Sequence, residues 1–260
     1  MTTPASLVAM HQAASLKKQV IEALRTAILE GRFQPGDRLV EREICEMFQV
    51  SRTLLREALS QLAAEGILQI IPHRGPIVAI YTAEDARSIY ELRATLEEMA
   101  GRCFAERATE AEHKALESAF AAFRKASRGK PGSDLLLVKT AFYAALTAGA
   151  HNPMLEDMLR MIHWRVTMLR AHTLSQPGRL AKSLGEIGDI MEAIARRDPE
   201  AAGQACRRHV MNAAAIADAV LTAKEAERDR PVRKRGTKEP SARDEVAAAP
   251  PAGEPRLARM

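Results

Sequence analysis

QVSRTLLREALSQLAAEG, residues 49–66, places two demands on one helix. Leu55, Ala58, Leu59 and Leu62 recur at i, i+3, i+4 and i+7, so one face is committed to a core. Ser51 stands where an N-cap belongs and Gly66 where a helix stops. Away from the apolar stripe, Arg52, Thr53 and Arg56 crowd the first turn. Basic side chains there oppose the helix dipole, which favours anions at its N-terminal end. A helix that carries this cost is suited to meet an anion from outside.

The flanking sequence supplies the rest of a small domain. From Ser15, SLKKQVIEALRTAILEGRF puts Leu16, Val20, Leu24, Ala27 and Ile28 on one helical stripe. QPGD turns the chain through Pro35 and Gly36. A second short helix follows, with Val40, Ile44, Met47 and Phe48 expected inward. Residues 1–14 show no clear period and read as a flexible leader. After Gly66, ILQII and IVAI are short β-branched runs separated by PHRGP, whose Pro and Gly impose a turn. Three helices and a hairpin over residues 15–80 make a winged helix-turn-helix. Its third helix presents its N-terminal residues to a major groove, with His73 and Arg74 at the wing tip. The plainer alternative is a helical domain whose arginines are merely solvated.

Beyond Thr82 the pattern is helical throughout. Thr82 with Asp85 and Thr109 with Glu112 have capping-box spacing. Helices are expected over 84–107, 110–126, 134–149, 154–172, 179–196 and 199–223, separated in the later part by RGKPGS, HNP, SQPG and RDPE. Residues 82–223 thus form an antiparallel all-α bundle whose core is available to a ligand. From Lys224 to Met260 apolar periodicity is lost, and the segment reads as a disordered basic tail.

The 260 residues carry a net charge of +5, with 47% hydrophobic and 27% charged residues, as a globular protein does. Much of the surplus comes from the tail, where Lys224–Arg243 holds eight Lys/Arg against four Asp/Glu. Residues 16–80 hold nine against eight, so the placement of particular arginines matters more than the total. No apolar run is long enough for a membrane span, and the N-terminus makes a poor signal peptide. Cys45, Cys103 and Cys206 share no short spacing, which points to a reduced, cytoplasmic protein without disulfides or a zinc knuckle. There is no G-x-S-x-G, P-loop or H-E-x-x-H, so no enzyme is expected.

AILEGRFQPGDRLVEREICEMFQVSRTLLREALSQLAAEGILQIIPHRGPIVA resembles the DNA-binding domain of the GntR family of bacterial transcription regulators, through its PGDRL, VSRT, REAL and HRG elements. The resemblance assigns DNA contacts to Arg42, Arg52, Thr53, Arg56, His73 and Gly75. Arg38 in the preceding turn, the N-cap Ser51 and the wing residue Arg74 join them as candidates. Leu54 stands where the family usually has proline and is expected at the groove, against a thymine methyl. EDARSIYELRATLEEMAGRCFAERAT, AFYAALTAGAHNPML and IMEAIARRDPEAAGQACRRHV resemble the FCD effector domain of the FadR subgroup. Members are homodimers that bind operators near metabolic genes and respond to small molecules, often organic acids. Two symmetry-related recognition helices imply an inverted-repeat operator in double-stranded DNA.

Many FCD domains hold a divalent metal with an Asp and three His. Here Lys139 replaces the Asp, Tyr143 and Ile187 replace two His, and only His209 matches. No metal and no cofactor are therefore expected, since one imidazole is not a metal site. His163 could add a second nitrogen, or either histidine could be a satisfied structural one. Lys139 puts a cation where the pattern has a carboxylate, and Arg93 matches the arginine of the family's first effector-domain helix. Both become candidates to receive an anionic effector, with Tyr143, His163 and His209 around it. Alternatively Lys139 snorkels to solvent, and Glu97 at i+4 simply pairs with Arg93. The expected function is a dimeric, metabolite-controlled DNA-binding regulator, a repressor. A metal-dependent FCD-like domain and a helical interaction protein without DNA binding are the rivals.

Overall fold

The computed structural model describes residues 4–129 and 132–228. Its N-terminal third is built from α1 (Pro4–Leu29), α2 (Glu41–Phe48), α3 (Arg52–Ala64), β1 (Leu68–Ile71) and β2 (Gly75–Val78). Val20, Ile21, Leu24 and Ile28 of α1 pack with Ile44, Leu55, Ala58, Leu59 and Leu62 in one apolar cluster. The stripe read for α3 is thus the buried one. Two inward expectations need correction, because Leu16 is 38% and Met47 64% exposed. Only Ile44 is buried in the eight-residue α2. A helix of two turns can turn just one short patch toward the core.

Helix α1 starts at Pro4, upstream of the leader boundary expected from periodicity. Proline suits a first helical turn. The following Ala, Leu, Met and Gln residues favour helix without marking an apolar stripe.

The wing pairs Leu68 with Val78 and Ile71 with Gly75 in antiparallel register. A Pro72-His73-Arg74 turn sets this register, so the second strand begins at Gly75, not at Ile77. His73 (φ 62°) and Gly75 (φ 84°) both adopt left-handed backbone, a cost that only the glycine escapes. The PGD turn lies on the other side of β2. The Leu39 N–H donates to the Pro76 carbonyl at 2.9 Å, and a bridge joins Arg38 to Ile77. This pairing fixes Arg38 beside the wing.

The remaining helices are α4 (Ala83–Arg107), α5 (Glu110–Ala126), α6 (Ser133–Ala148), α7 (Pro153–Leu174), α8 (Arg179–Ala195) and α9 (Pro199–Arg228). Both expected capping boxes form, at Thr82/Asp85 and Thr109/Glu112. Asn152 caps α7 through the Leu155 N–H. Helix α9 runs on through Arg228, past the start expected for the basic tail; residues 229–260 of that tail lie outside the described residues. Helices α4 and α9 approach closely. A Cβ on Gly101 would meet Cys206 Sγ at 2.7 Å and the Ala202 carbonyl oxygen at 2.9 Å. Phe104, Phe123, Phe142, Leu146, Ile187, Ile190 and Ile194 fill the bundle core.

Helix α7 also reaches the winged helix. Met168 belongs to the winged-helix apolar cluster, and Trp164 packs against it. The Arg25 guanidinium lies 4.5 Å from the centre of the Trp164 ring and is itself paired with Glu22 and Glu65. Gly66 (φ 79°) admits Arg165, whose Nε would lie 2.5 Å from a Cβ at that position.

No helix among the described residues is long and apolar enough to cross a membrane.

Candidate functional site

Two regions collect the residues singled out in the sequence. The first is the exposed end of α3 with the wing. Ser51 Oγ accepts the Leu54 N–H at 3.2 Å and so starts the helix. Arg52, Thr53 and Arg56 are exposed on its first turns, as are Arg38, Arg42, His73 and Arg74 nearby. Among the described residues, no ion pair engages Arg38, Arg42, Arg52 or Arg74. Arg56 differs: its Nε donates to both carboxylate oxygens of Glu41, at 3.0 and 3.2 Å. Both terminal nitrogens of Arg56 stay clear of that pair. Leu54 is half-buried and packs against the winged-helix core, so less of it faces outward than its sequence position suggests.

The second region is a cavity of about 310 Å3 among α4, α6 and α7. Arg93, Tyr143 and His163 line it, together with Glu97, Thr140 and Arg170. Leu159, Ile162 and Val166 provide an apolar wall, while Glu156 and the exposed Arg160 lie at its edge. Arg93 is 1% exposed and is spent on Glu97, donating from Nε at 2.5 Å and from Nη2 at 3.2 Å. Burial alone would depress the guanidinium, but Glu97 outweighs it and raises the pKa. The i,i+4 pairing expected as an alternative role for Arg93 is therefore present.

Arg170, 4% exposed, has a different environment. Its guanidinium sits 4.2 Å from the Tyr143 ring centre and 3.9 Å from Glu97. Its Nε and Nη1, like the Tyr143 hydroxyl, are buried and find no protein partner among the described residues. Burial, then repulsion from Arg93, bring the Arg170 pKa down to about 10, which leaves it charged at neutral pH. Burial raises the Tyr143 phenol, so it stays protonated and can donate. His163 is brought down to about 4 by burial and by Arg170, and is neutral.

Lys139 and His209 do not line this cavity. Lys139 is 3% exposed and donates to Ser183 Oγ at 2.6 Å, so it does not snorkel to solvent. Burial, reinforced by Arg170, Arg93 and Arg179, pushes its pKa well below the usual lysine value. Next to it, His209 Nδ1 lies 2.6 Å from Glu186, which also receives Arg179 and Asn212. Burial works to raise the Glu186 pKa, but the His209 and Arg179 hydrogen bonds prevail and hold it near 2. Burial and Lys139 depress His209, so a neutral imidazole donates Nδ1–H to an ionised carboxylate.

The metal implied by the resemblance does not fit this donor set. Lys139, Tyr143 and Ile187 offer no ligand pattern around His209, and the nearest carboxylate, Glu186, is already occupied. No group of three or more His, Cys, Asp or Glu among the described residues could hold an ion.

The sequence reading missed Arg170, Arg179, Ser183 and Glu186. A signal existed for Arg170: His163, Thr167 and Arg170 recur at i, i+4 and i+7, a polar stripe in an apolar helix.

Comparison with known proteins agrees with both halves. Residues 16–78 match the gntR family of bacterial regulatory proteins and residues 88–212 match the FCD domain. The HTH-type transcriptional regulator YdhC of Bacillus subtilis is 28% identical over 192 residues, covering 74% of this chain and 86% of YdhC. The HTH-type transcriptional repressor RspR of Escherichia coli is 28% identical over 195 residues, covering 75% and 86%. A crystal structure of a GntR transcriptional regulator from Rhodococcus sp. RHA1 superimposes with a TM-score of 0.68 at 25% identity, covering 78% of this chain and 97% of that one. The winged helix with its basic α3 and the following helical bundle are those of a transcription regulator, not an enzyme, and the chain belongs to the GntR family, with an FCD effector domain.

Proposed function

We propose that this regulator is a cytoplasmic homodimer that represses transcription from an inverted-repeat operator and responds to an organic acid in the α4–α6–α7 cavity. In this reading Arg52, Thr53 and Arg56 enter the major groove, and His73, Arg74 and Gly75 approach the backbone or minor groove from the wing. Arg38 and Arg42 take phosphates. Phosphate contacts supply affinity and salt dependence, while base edges supply sequence choice. Ser51 contributes by starting the helix and Leu54 by closing the core beneath it.

The observation that carries the effector half is the charge balance of the cavity: two buried guanidinium groups share one carboxylate, Glu97. A buried charge without full compensation is costly, and an incoming anion relieves it. The ligand acts on transcription only by binding the DNA-competent and DNA-incompetent dimers unequally. A mobility-shift titration on DNA from the protein's own promoter, with and without a panel of organic acids, tests the whole reading. Specific retardation that an acid weakens or strengthens is the expected result. Equal affinity for promoter and random DNA would end the regulator assignment for that promoter; indifference to every acid would end the organic-acid assignment.

A further inference from the structure

We propose that Arg170 and the Tyr143 hydroxyl form the receptor for a single carboxylate, so that the cavity takes a small monocarboxylic acid with an apolar body. The proposal rests on the cavity being the effector site and names which atoms do the binding.

Other cations near the cavity are already engaged. Arg93 donates from its Nε and Nη2 to Glu97, and Lys139 donates a hydrogen bond to Ser183 behind the cavity wall. Arg170 keeps two donors, Nε and Nη1, without a protein acceptor, and Tyr143 keeps a third. All three belong to side chains at least nine-tenths buried that line the same space. The guanidinium is also fixed in place, because its face lies against the Tyr143 ring. A held guanidinium loses less freedom when it binds, which favours affinity.

The count of charges sets the ligand's own charge. Arg160 and Glu156 at the edge offset each other, and the buried Arg93 and Arg170 against Glu97 leave one positive charge, which one carboxylate neutralises. A dicarboxylate or a phosphate dianion would bury an excess negative charge beside Glu97. His163 is neutral here and adds no further cation. Leu159, Ile162 and Val166 then favour an apolar body over a polyhydroxylated one.

Benzoate is a suitable probe and benzamide its uncharged counterpart of the same shape. Calorimetric titration of the full-length protein at fixed ionic strength should show benzoate binding about tenfold or more tighter than benzamide. Arg170→Met should abolish that preference. Tyr143→Phe, which removes one oxygen, should weaken benzoate several-fold and keeps the test decisive if Arg170→Met does not fold. Lys139→Met should bind benzoate as the parent does. Equal binding of the two probes, no saturable benzoate binding at tens of millimolar, or parental affinity in Arg170→Met would overturn the proposal.

The same samples, tested for promoter DNA binding, separate the two ideas. Arg170-dependent benzoate binding that leaves DNA affinity untouched upholds the receptor and removes the effector reading. A neutral compound that changes DNA affinity without any need for Arg170 keeps the effector reading and removes the receptor.

Discussion

Glu41→Ala is expected to weaken operator binding while slightly strengthening binding to random DNA. Glu41 holds Arg56 through Nε alone, at 3.0 and 3.2 Å, and leaves both terminal nitrogens for a base edge. Those two nitrogens suit the O6/N7 edge of guanine. Without Glu41 the arginine, 68% exposed, regains its rotamers in the free protein and must be ordered on binding. Freezing a long side chain costs up to about 2 kcal/mol, and recovering half of that gives about 1 kcal/mol per protomer. In the proposed homodimer two recognition helices double it to about 2 kcal/mol, or about 30-fold in operator affinity. Random DNA feels chiefly the loss of a negative charge beside the phosphates, so its affinity rises a little. Fluorescence anisotropy on an operator duplex and a scrambled duplex, at one salt concentration, measures both. The exposed pair contributes only about 0–1 kcal/mol to stability, so the fold should persist. If both duplexes bind tighter, Glu41 is a competitor for Arg56 and not its support.

Other outcomes follow from the same geometry. Arg52→Ala should lose about 1–3 kcal/mol of operator binding per half-site with an unchanged circular dichroism spectrum; retained operator affinity at fixed salt would remove α3 as the reading helix. Elemental analysis of untagged protein should find no stoichiometric zinc, nickel or manganese, and one equivalent lost on His209→Ala would refute the donor-set argument. His163 is depressed to about 4 from an ordinary 6.5, so the unfolded chain binds the proton more readily. Its contribution to stability is full above pH 6.5 and falls as the pH drops toward 4. Discounted for its partial exposure, the loss is about 1 kcal/mol at pH 5.5. His163→Gln should flatten that part of the urea-denaturation profile, and an unchanged slope would contradict the half-buried, neutral histidine.

Helix ends were legible because their signals are local. Thr82 with Asp85 and Thr109 with Glu112 each announce a start within four residues, and the HNP and RDPE separators stand just ahead of two more. The start of α1 was not legible, since Ala, Met and Gln favour a helix without marking a face. The exposed basic end of α3 could be read from its stripe, but the partner of Arg56 lies fifteen residues away on another helix. The cavity was half legible. Arg93, Tyr143 and His163 were singled out and line it, whereas Lys139 was assigned a place among them and lies behind. Which buried cation keeps unused donors depends on where Glu97 and Ser183 end up, and that is a property of the packed bundle.

Helix α7 serves two neighbours from adjacent residues. His163, Val166 and Arg170 border the cavity, while Trp164, Arg165 and Met168 rest on the winged helix. With 22 residues it is a rod of about 33 Å. Because the two sets alternate along it, any roll that accommodates an occupant at Arg170 also turns Trp164 beneath Arg25. With the cavity as the proposed effector site, the message and its delivery share one axle, so no relay of intermediate residues is required. Enlarging a side chain on either set should therefore disturb the other, and a Trp164 variant can mimic or silence an effector that it never touches.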